Sequence, residues 1–115
     1  MSNNAIANER VIVFGASGFL GSHVADALSS TGYQVRLFDR SASPHLKPDQ
    51  EMIIGDIMNV DQVIEAARDC SVVYNCAAIA DIDEAHNKPI PTATINVLGN
   101  MHVLEAARIA GARRF

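Results

Sequence analysis

A glycine-rich turn, Gly15-Ala16-Ser17-Gly18-Phe19-Leu20-Gly21, separates two stretches of opposite periodicity. Ahead of it, Val11-Ile12-Val13-Phe14 is an unbroken β-branched and aromatic run, the pattern of a strand covered on both faces of a parallel sheet. Behind it, Phe19, Leu20, Val24, Ala27 and Leu28 recur at helical spacing until Thr31-Gly32 supplies a stop. A buried strand, a tight turn and a helix in succession make up the first unit of an alternating α/β chain.

The alternation continues. Gln34 to Asp39 reads as a second strand, Ser41 to Asp49 with Pro44 and Pro48 as a surface loop, and Met52-Ile53-Ile54 as a short third strand. Val60, Val63, Ile64 and Ala67 mark the apolar stripe of a second helix, with Asn59 or Asp56 as its cap. Ser71 to Tyr74 is a fourth strand. A polar stretch from Asp81 to Lys88 leads through Pro89 and Pro91 to a long helix, Ile95 to Ala110, ended by Gly111. Arg113-Arg114-Phe115 opens one more strand. Such a succession predicts a doubly wound parallel sheet with right-handed crossovers, with a flexible polar leader over residues 1–9 and one domain over 10–115.

Composition excludes several functions. The chain has 115 residues, 49% of them hydrophobic, too ordered a composition for a disordered segment and too short for two ordinary domains. Nine basic against thirteen acidic side chains give a formal charge of −4, so no broad cationic face is expected for a nucleic acid. No apolar run reaches the roughly 18 residues of a membrane helix, and Met1 to Arg10 lacks a secretory pattern. A cytoplasmic protein without a membrane or nucleic-acid partner is expected. Cys70 and Cys76 read as small core residues, since with His86 they match no common zinc spacing and no metal is expected. The scattered His23, His45, His86 and His102 read as solvent-facing or packed.

Ligands of doubly wound sheets sit at the carboxyl ends of the strands, beside the first strand. Gly15 permits the sharp turn there, Gly18 lets backbone approach a ligand, and Gly21 allows close packing of the helix. The helix start offers unpaired N–H groups and about half a positive charge to a pyrophosphate. Asp39 ends the second strand 24 residues after Gly15, where a carboxylate can accept from both hydroxyls of an adenosine ribose and repel a 2′-phosphate. NAD is therefore expected in preference to NADP, with Arg40 either folded over the adenine or paired to a phosphate. The bland reading of Asp39 is an exposed strand-end carboxylate. Asp56 reads either as an acceptor for the adenine amino group or as a helix cap.

The strand-GASGFLGSH turn, Asp39, Gly55-Asp56-Ile57, Asn75-Cys76-Ala77-Ala78, and Asn96-Val97-Leu98-Gly99-Asn100 followed by Leu104-Glu105-Ala106-Ala107 resemble the NAD-dependent epimerase/dehydratase family, the extended short-chain dehydrogenases. The motifs stand in the family's order and cover the chain from Arg10. The resemblance implies a Rossmann-type sheet whose bound NAD contacts Ser17 within the turn and takes pyrophosphate hydrogen bonds from the Phe19 and Leu20 N–H groups. It further implies that Asp39 holds the ribose, that Asp56 and Ile57 frame the adenine, that Ala77 and Ala78 line the path to the nicotinamide, and that Asn96 supports the active site. Phe14 stands where the family often has Thr, and Asn75 where it often has His.

Family chemistry also uses a Tyr-x-x-x-Lys pair, in which lysine lowers the tyrosine pKa for proton transfer. Tyr33 is followed four positions on by Leu37 and Tyr74 by Ala78, so neither supplies that pair, and no catalytic residue is expected within these 115 residues. The chain is thus expected to be the cofactor-binding part of a longer oxidoreductase, epimerase or dehydratase, cut as its fifth strand begins. A nucleotide sugar is the substrate the family implies. The alternative is a non-catalytic NAD(P) sensor of the same fold. Without a fifth strand, Val72, Val73 and Tyr74 are expected on an open edge. The apolar Ile95, Val97, Leu98, Met101, Val103, Leu104 and Ile109 exceed one stripe, which predicts packing against a second subunit or against further chain.

Overall fold

In the computed structural model, which describes residues 9–115, four strands form one parallel sheet in the order β3-β2-β1-β4. The strands are β1 (Arg10–Phe14), β2 (Gln34–Asp39), β3 (Glu51–Ile54) and β4 (Val72–Asn75). Of the expected polar leader only Glu9 falls among the described residues. The central strand β1 pairs on one side with β2, from Arg10 against Gln34 to Phe14 against Phe38, and on the other with β4, from Val11 against Val72 to Phe14 against Asn75. Its Val11, Ile12, Val13 and Phe14 are fully buried because both faces are covered, as the absence of polar alternation requires.

One layer is the helix α1 (Phe19–Thr31), whose Ala25 meets Val13, Ala16, Val35 and Leu37. Gly32 ends it with φ 108°, returning its N–H to the Leu28 and Ser29 carbonyls. The opposite layer contains α2 (Val60–Ala66) and the end of the long carboxy-terminal helix. Here Ile12, Phe14, Phe38, Val63, Val73, Val103 and Ala106 form the larger core, and the Phe14 and Phe38 rings lie 4.9 Å apart. Asn59 caps α2 by accepting the Gln62 N–H at 3.2 Å.

Beyond β4 the sequence expectation needs correction in two places. The polar stretch contains a helix, α3 (Ile82–Asn87), with no buried residue. It is held by Asp81, which accepts the Asp83 and Glu84 N–H groups. The long helix starts at Pro89 rather than Ile95: α4 (Pro89–Ala93) runs through a π-helical segment, Thr94–Gly99, into α5 (Asn100–Ala110) with helical dihedrals at each junction. Both prolines sit in the first turn, where the missing N–H removes no helical bond.

The expected fifth strand is present as one parallel bridge, Val72 to Arg114. The Arg113 N–H donates to the Ser71 carbonyl at 2.8 Å and the Val73 N–H to the Arg114 carbonyl at 3.0 Å. Beyond that bridge β4 remains the edge of the sheet, as expected. Val72 and Val73 are buried because their side chains point into the layers, and only Tyr74 is exposed. No helix among the described residues is long and apolar enough to cross a membrane.

Candidate functional site

The turn after β1 is pinned to the end of β2. The Gly15 and Ala16 N–H groups both donate to the Phe38 carbonyl, at 2.9 and 3.3 Å. Gly15 has φ 76°, and a Cβ there would lie 2.5 Å from the Ala77 nitrogen, so glycine is required on both counts. A Cβ on Gly21 would collide with the Gly15 carbonyl oxygen, because α1 crosses directly behind the turn. Gly18 differs: its Cβ would meet only the Gly15 oxygen, at an ordinary 3.5 Å. The packing of the described residues therefore does not demand glycine at 18.

Gly18 is the N-cap of α1 and supplies no side-chain cap, so the first N–H groups of the helix, those of Phe19 and Leu20, face outward without a helical partner. Asp39 lies beside them. Its Oδ2 accepts the Ser17 N–H at 2.9 Å and its Oδ1 the Arg40 N–H at 2.7 Å. An ionised carboxylate has about four lone-pair sites, so two remain for ligand hydroxyls. The Ser17 hydroxyl donates to the Ser41 carbonyl at 2.6 Å, tying the turn to the loop after β2.

A cleft of about 220 Å³ opens at the carboxyl ends of the strands, lined by Gly15, Gly18, Asp39, Arg40, Asp56, Ile57, Ala77 and Ala78 among others. These are eight of the residues singled out from sequence. Ser17 and Phe19 line an adjoining hollow, and Gly21 sits behind the turn. Leu20 is exposed on the first turn of α1. Asn96 stands one layer back, accepting the Ile79 N–H at 2.8 Å and donating to the Ile79 carbonyl at 3.1 Å. Asp56 does not cap α2; its Oδ1 accepts the Met58 N–H at 2.9 Å in a turn of its own.

Sequence reasoning missed Phe38, Gly55, Cys76, Ile79 and Ile95, which also line the cleft. Phe38 was legible only as a strand residue. Its ring lines the cleft and packs on Gly55, where a Cβ would stand 2.7 Å from it. Ile57 is fixed by the Nδ1–H of His102, which donates to its carbonyl at 2.8 Å. Cys76 belongs to the cleft wall rather than the deep core, and burial pushes its thiol up from the ordinary range. A larger groove follows the outer edge of β3 against α2. Its Arg36 is committed to Glu51 and to the Ala66 and Arg68 carbonyls.

A model of the NAD dependent epimerase/dehydratase family matches residues 11–115. A 3-beta-hydroxysteroid dehydrogenase of Mycolicibacterium neoaurum is 32% identical over 114 residues, covering 92% of this chain and 30% of the relative. A UDP-glucose 4-epimerase of Rhizobium leguminosarum bv. trifolii is 30% identical over 115 residues, covering 96% of the chain and 35% of the relative. Among solved structures, the UDP-glucose 4-epimerase of Thermus thermophilus in complex with NAD superposes with a TM-score of 0.82. Its identity is 29%, over 90% of this chain and 35% of that one. The chain therefore spans about a third of the length of the proteins it matches.

Proposed function

Since the chain belongs to the NAD-dependent epimerase/dehydratase family, we propose that it is the NAD-binding part of an enzyme that oxidises a hydroxyl carbon of a nucleotide sugar. The observation that carries this reading is the meeting of Ser17 and Asp39: a ribose-holding carboxylate is fixed by hydrogen bond to the turn that would hold the pyrophosphate. NAD, when bound, supplies the hydride acceptor. The chain's residues bind and orient it. The Phe19 and Leu20 N–H groups and the α1 dipole receive the pyrophosphate, and Asp39 receives the ribose hydroxyls. Asp56 and Ile57 frame the adenine, with Arg40 over it, while Ala77 and Ala78 leave room for the nicotinamide and Asn96 holds the strip they belong to.

Asp39 also sets the preference for NAD, because the 2′-phosphate of NADP would place a second anion against it. Neither tyrosine of this chain has a lysine four positions later, so neither is given the proton transfer. The free thiols of Cys70 and Cys76 favour a reducing, cytoplasmic setting.

The epimerase relatives support the nucleotide sugar. A second reading, a sterol-like substrate, is favoured by the steroid dehydrogenase at a similar identity and by the exposed Phe19, Ile82 and Ile90. The two are separated by supplying the protein that carries this chain with NAD and either UDP-glucose or a 3β-hydroxysteroid, and following NADH fluorescence and product. Turnover of the sugar supports the first reading and turnover of the steroid the second. NAD binding with neither turnover returns the reading to a non-catalytic sensor.

Val97, Leu98, Met101 and Leu104 form an exposed apolar face on the long helix, opposite the buried Val103 and Ala106. A second copy of the chain on this face, giving a homodimer, is part of the same proposal.

A further inference from the structure

The sheet order puts the ends of β2, β1 and β4 side by side. On the coenzyme reading above, which this inference rests on, adenosine lies at β2 and pyrophosphate at the turn after β1. The second nucleoside then extends over the end of β4, onto Cys76, Ala77, Ala78 and Ile79. That strip has no regular secondary structure; beyond the bond from the Cys76 N–H to the Phe14 carbonyl at 2.8 Å, side chains hold it.

Three carboxamides hold it. The Ala77 N–H donates to Asn75 Oδ1 at 3.0 Å, which fixes the orientation of the Asn75 amide and turns its Nδ2 toward the long helix. There it donates to Asn100 Oδ1 at 2.8 Å. Asn96, four residues earlier on the same helix, clamps both polar groups of the Ile79 backbone. Asn96 lies inside the π-helical segment and Asn100 directly follows it. Between them Gly99 lets the helix close on Ile57, where a Cβ would stand 3.2 Å from Cγ2. The helix thus grips the strip at two points. Neither Asn75 nor Asn100 lines the cleft, so both act through Ala77.

We infer that Asn75 and Asn100 are a positioning pair that sets the nicotinamide end of the coenzyme cleft from the long helix. The pair requires a donor facing an acceptor, and the Ala77 N–H makes Asn75 the donor. Asn100→Asp therefore retains the acceptor, and Asn100→Ala removes it. Asn75→Asp is tolerated alone, because the exposed Asn100 amide can turn to donate. The double replacement N75D/N100D sets two carboxylates against each other.

The test is calorimetric titration of the full chain and its variants with NAD and with ADP-ribose, which lacks the nicotinamide, with circular dichroism as the check on folding. Asn100→Ala is expected to weaken NAD about threefold to tenfold, the effect of one exposed-to-partly-buried hydrogen bond, and ADP-ribose by less than about twofold. Asn100→Asp is expected to restore NAD affinity, and N75D/N100D to lose it again. Equal weakening of both ligands, no weakening of NAD, failure of Asn100→Asp to restore it, or a double variant that binds NAD like the native chain overturns the positioning pair. A native chain that binds neither ligand overturns the coenzyme reading itself.

Discussion

Asp39 Oδ2 accepts the Ser17 backbone N–H at 2.9 Å, joining the end of the second strand to the turn after the first across 22 residues of chain. The bond aligns the carboxylate before any ligand arrives, and a preset acceptor costs less to organise on binding. Replacing Asp39 with Asn keeps an oxygen for Ser17 but removes the charge. NAD affinity is expected to fall about tenfold to a hundredfold, the range of a lost charge-assisted hydrogen bond, while NADP binding improves. Parallel titrations with the two coenzymes check this, and an unchanged NAD-to-NADP ratio counts against the role of Asp39.

Gly18 and Gly21 should separate binding from folding. A methyl group at 21 collides with the Gly15 carbonyl oxygen, whereas at 18 it meets ordinary contact. Gly21→Ala is therefore expected to lose about 2 to 3 kcal/mol of stability through overpacking. Gly18→Ala is expected to keep its melting temperature and lose NAD affinity by about tenfold or more, because the added carbon occupies the ligand's side of the turn. Thermal melts beside titrations read both. A destabilised Gly18→Ala with normal binding would reverse the assignment.

The Arg113 guanidinium makes two hydrogen bonds to the Glu9 carboxylate and holds it below the ordinary carboxylate range. A depressed carboxylate contributes stability that is full above its unfolded pKa and is lost as the pH falls through its folded value. Glu9→Gln is therefore expected to lower the melting temperature slightly at pH 7. The difference should close in acid, once Glu9 is protonated in both states. The effect is small because the pair is exposed. A difference that grows on acidification would show that the sign is wrong.

Met101 and Leu104 are about half exposed on the outer face of the long helix, away from the buried Val103 and Ala106. Glutamate at either position is expected to leave folding intact and to convert a dimer into a monomer, as seen by light scattering on a sizing column. A native chain that is monomeric, or glutamate variants that remain dimeric, would remove this face as the site of self-association.

The sequence disclosed features with a strong local signature. Val11 to Phe14 carries the signature of a doubly covered strand, the glycine spacing located the turn, and Asp39 stands at the strand end where the sequence put it. The helix Ile82–Asn87 escaped because it buries nothing and shows no apolar stripe, although Asp81-Ile82-Asp83-Glu84 carries an N-terminal capping pattern that could have revealed it. The expected helix starts at Ile95, after both prolines, whereas the first turn of the real helix accepts Pro89 and Pro91. The contact of Phe38 with Gly55 and the Asn75–Asn100 bond join segments distant in the chain, for which local spacing holds no signal.

Crystals of the chain grown with NAD should reveal the site outright. The adenosine ribose is expected within hydrogen-bonding distance of Asp39, with the pyrophosphate against the Phe19 and Leu20 N–H groups and the nicotinamide half over Ala77 and Ala78. A coenzyme seated elsewhere on the molecule, or a ribose out of reach of Asp39, would contradict the reading of this cleft.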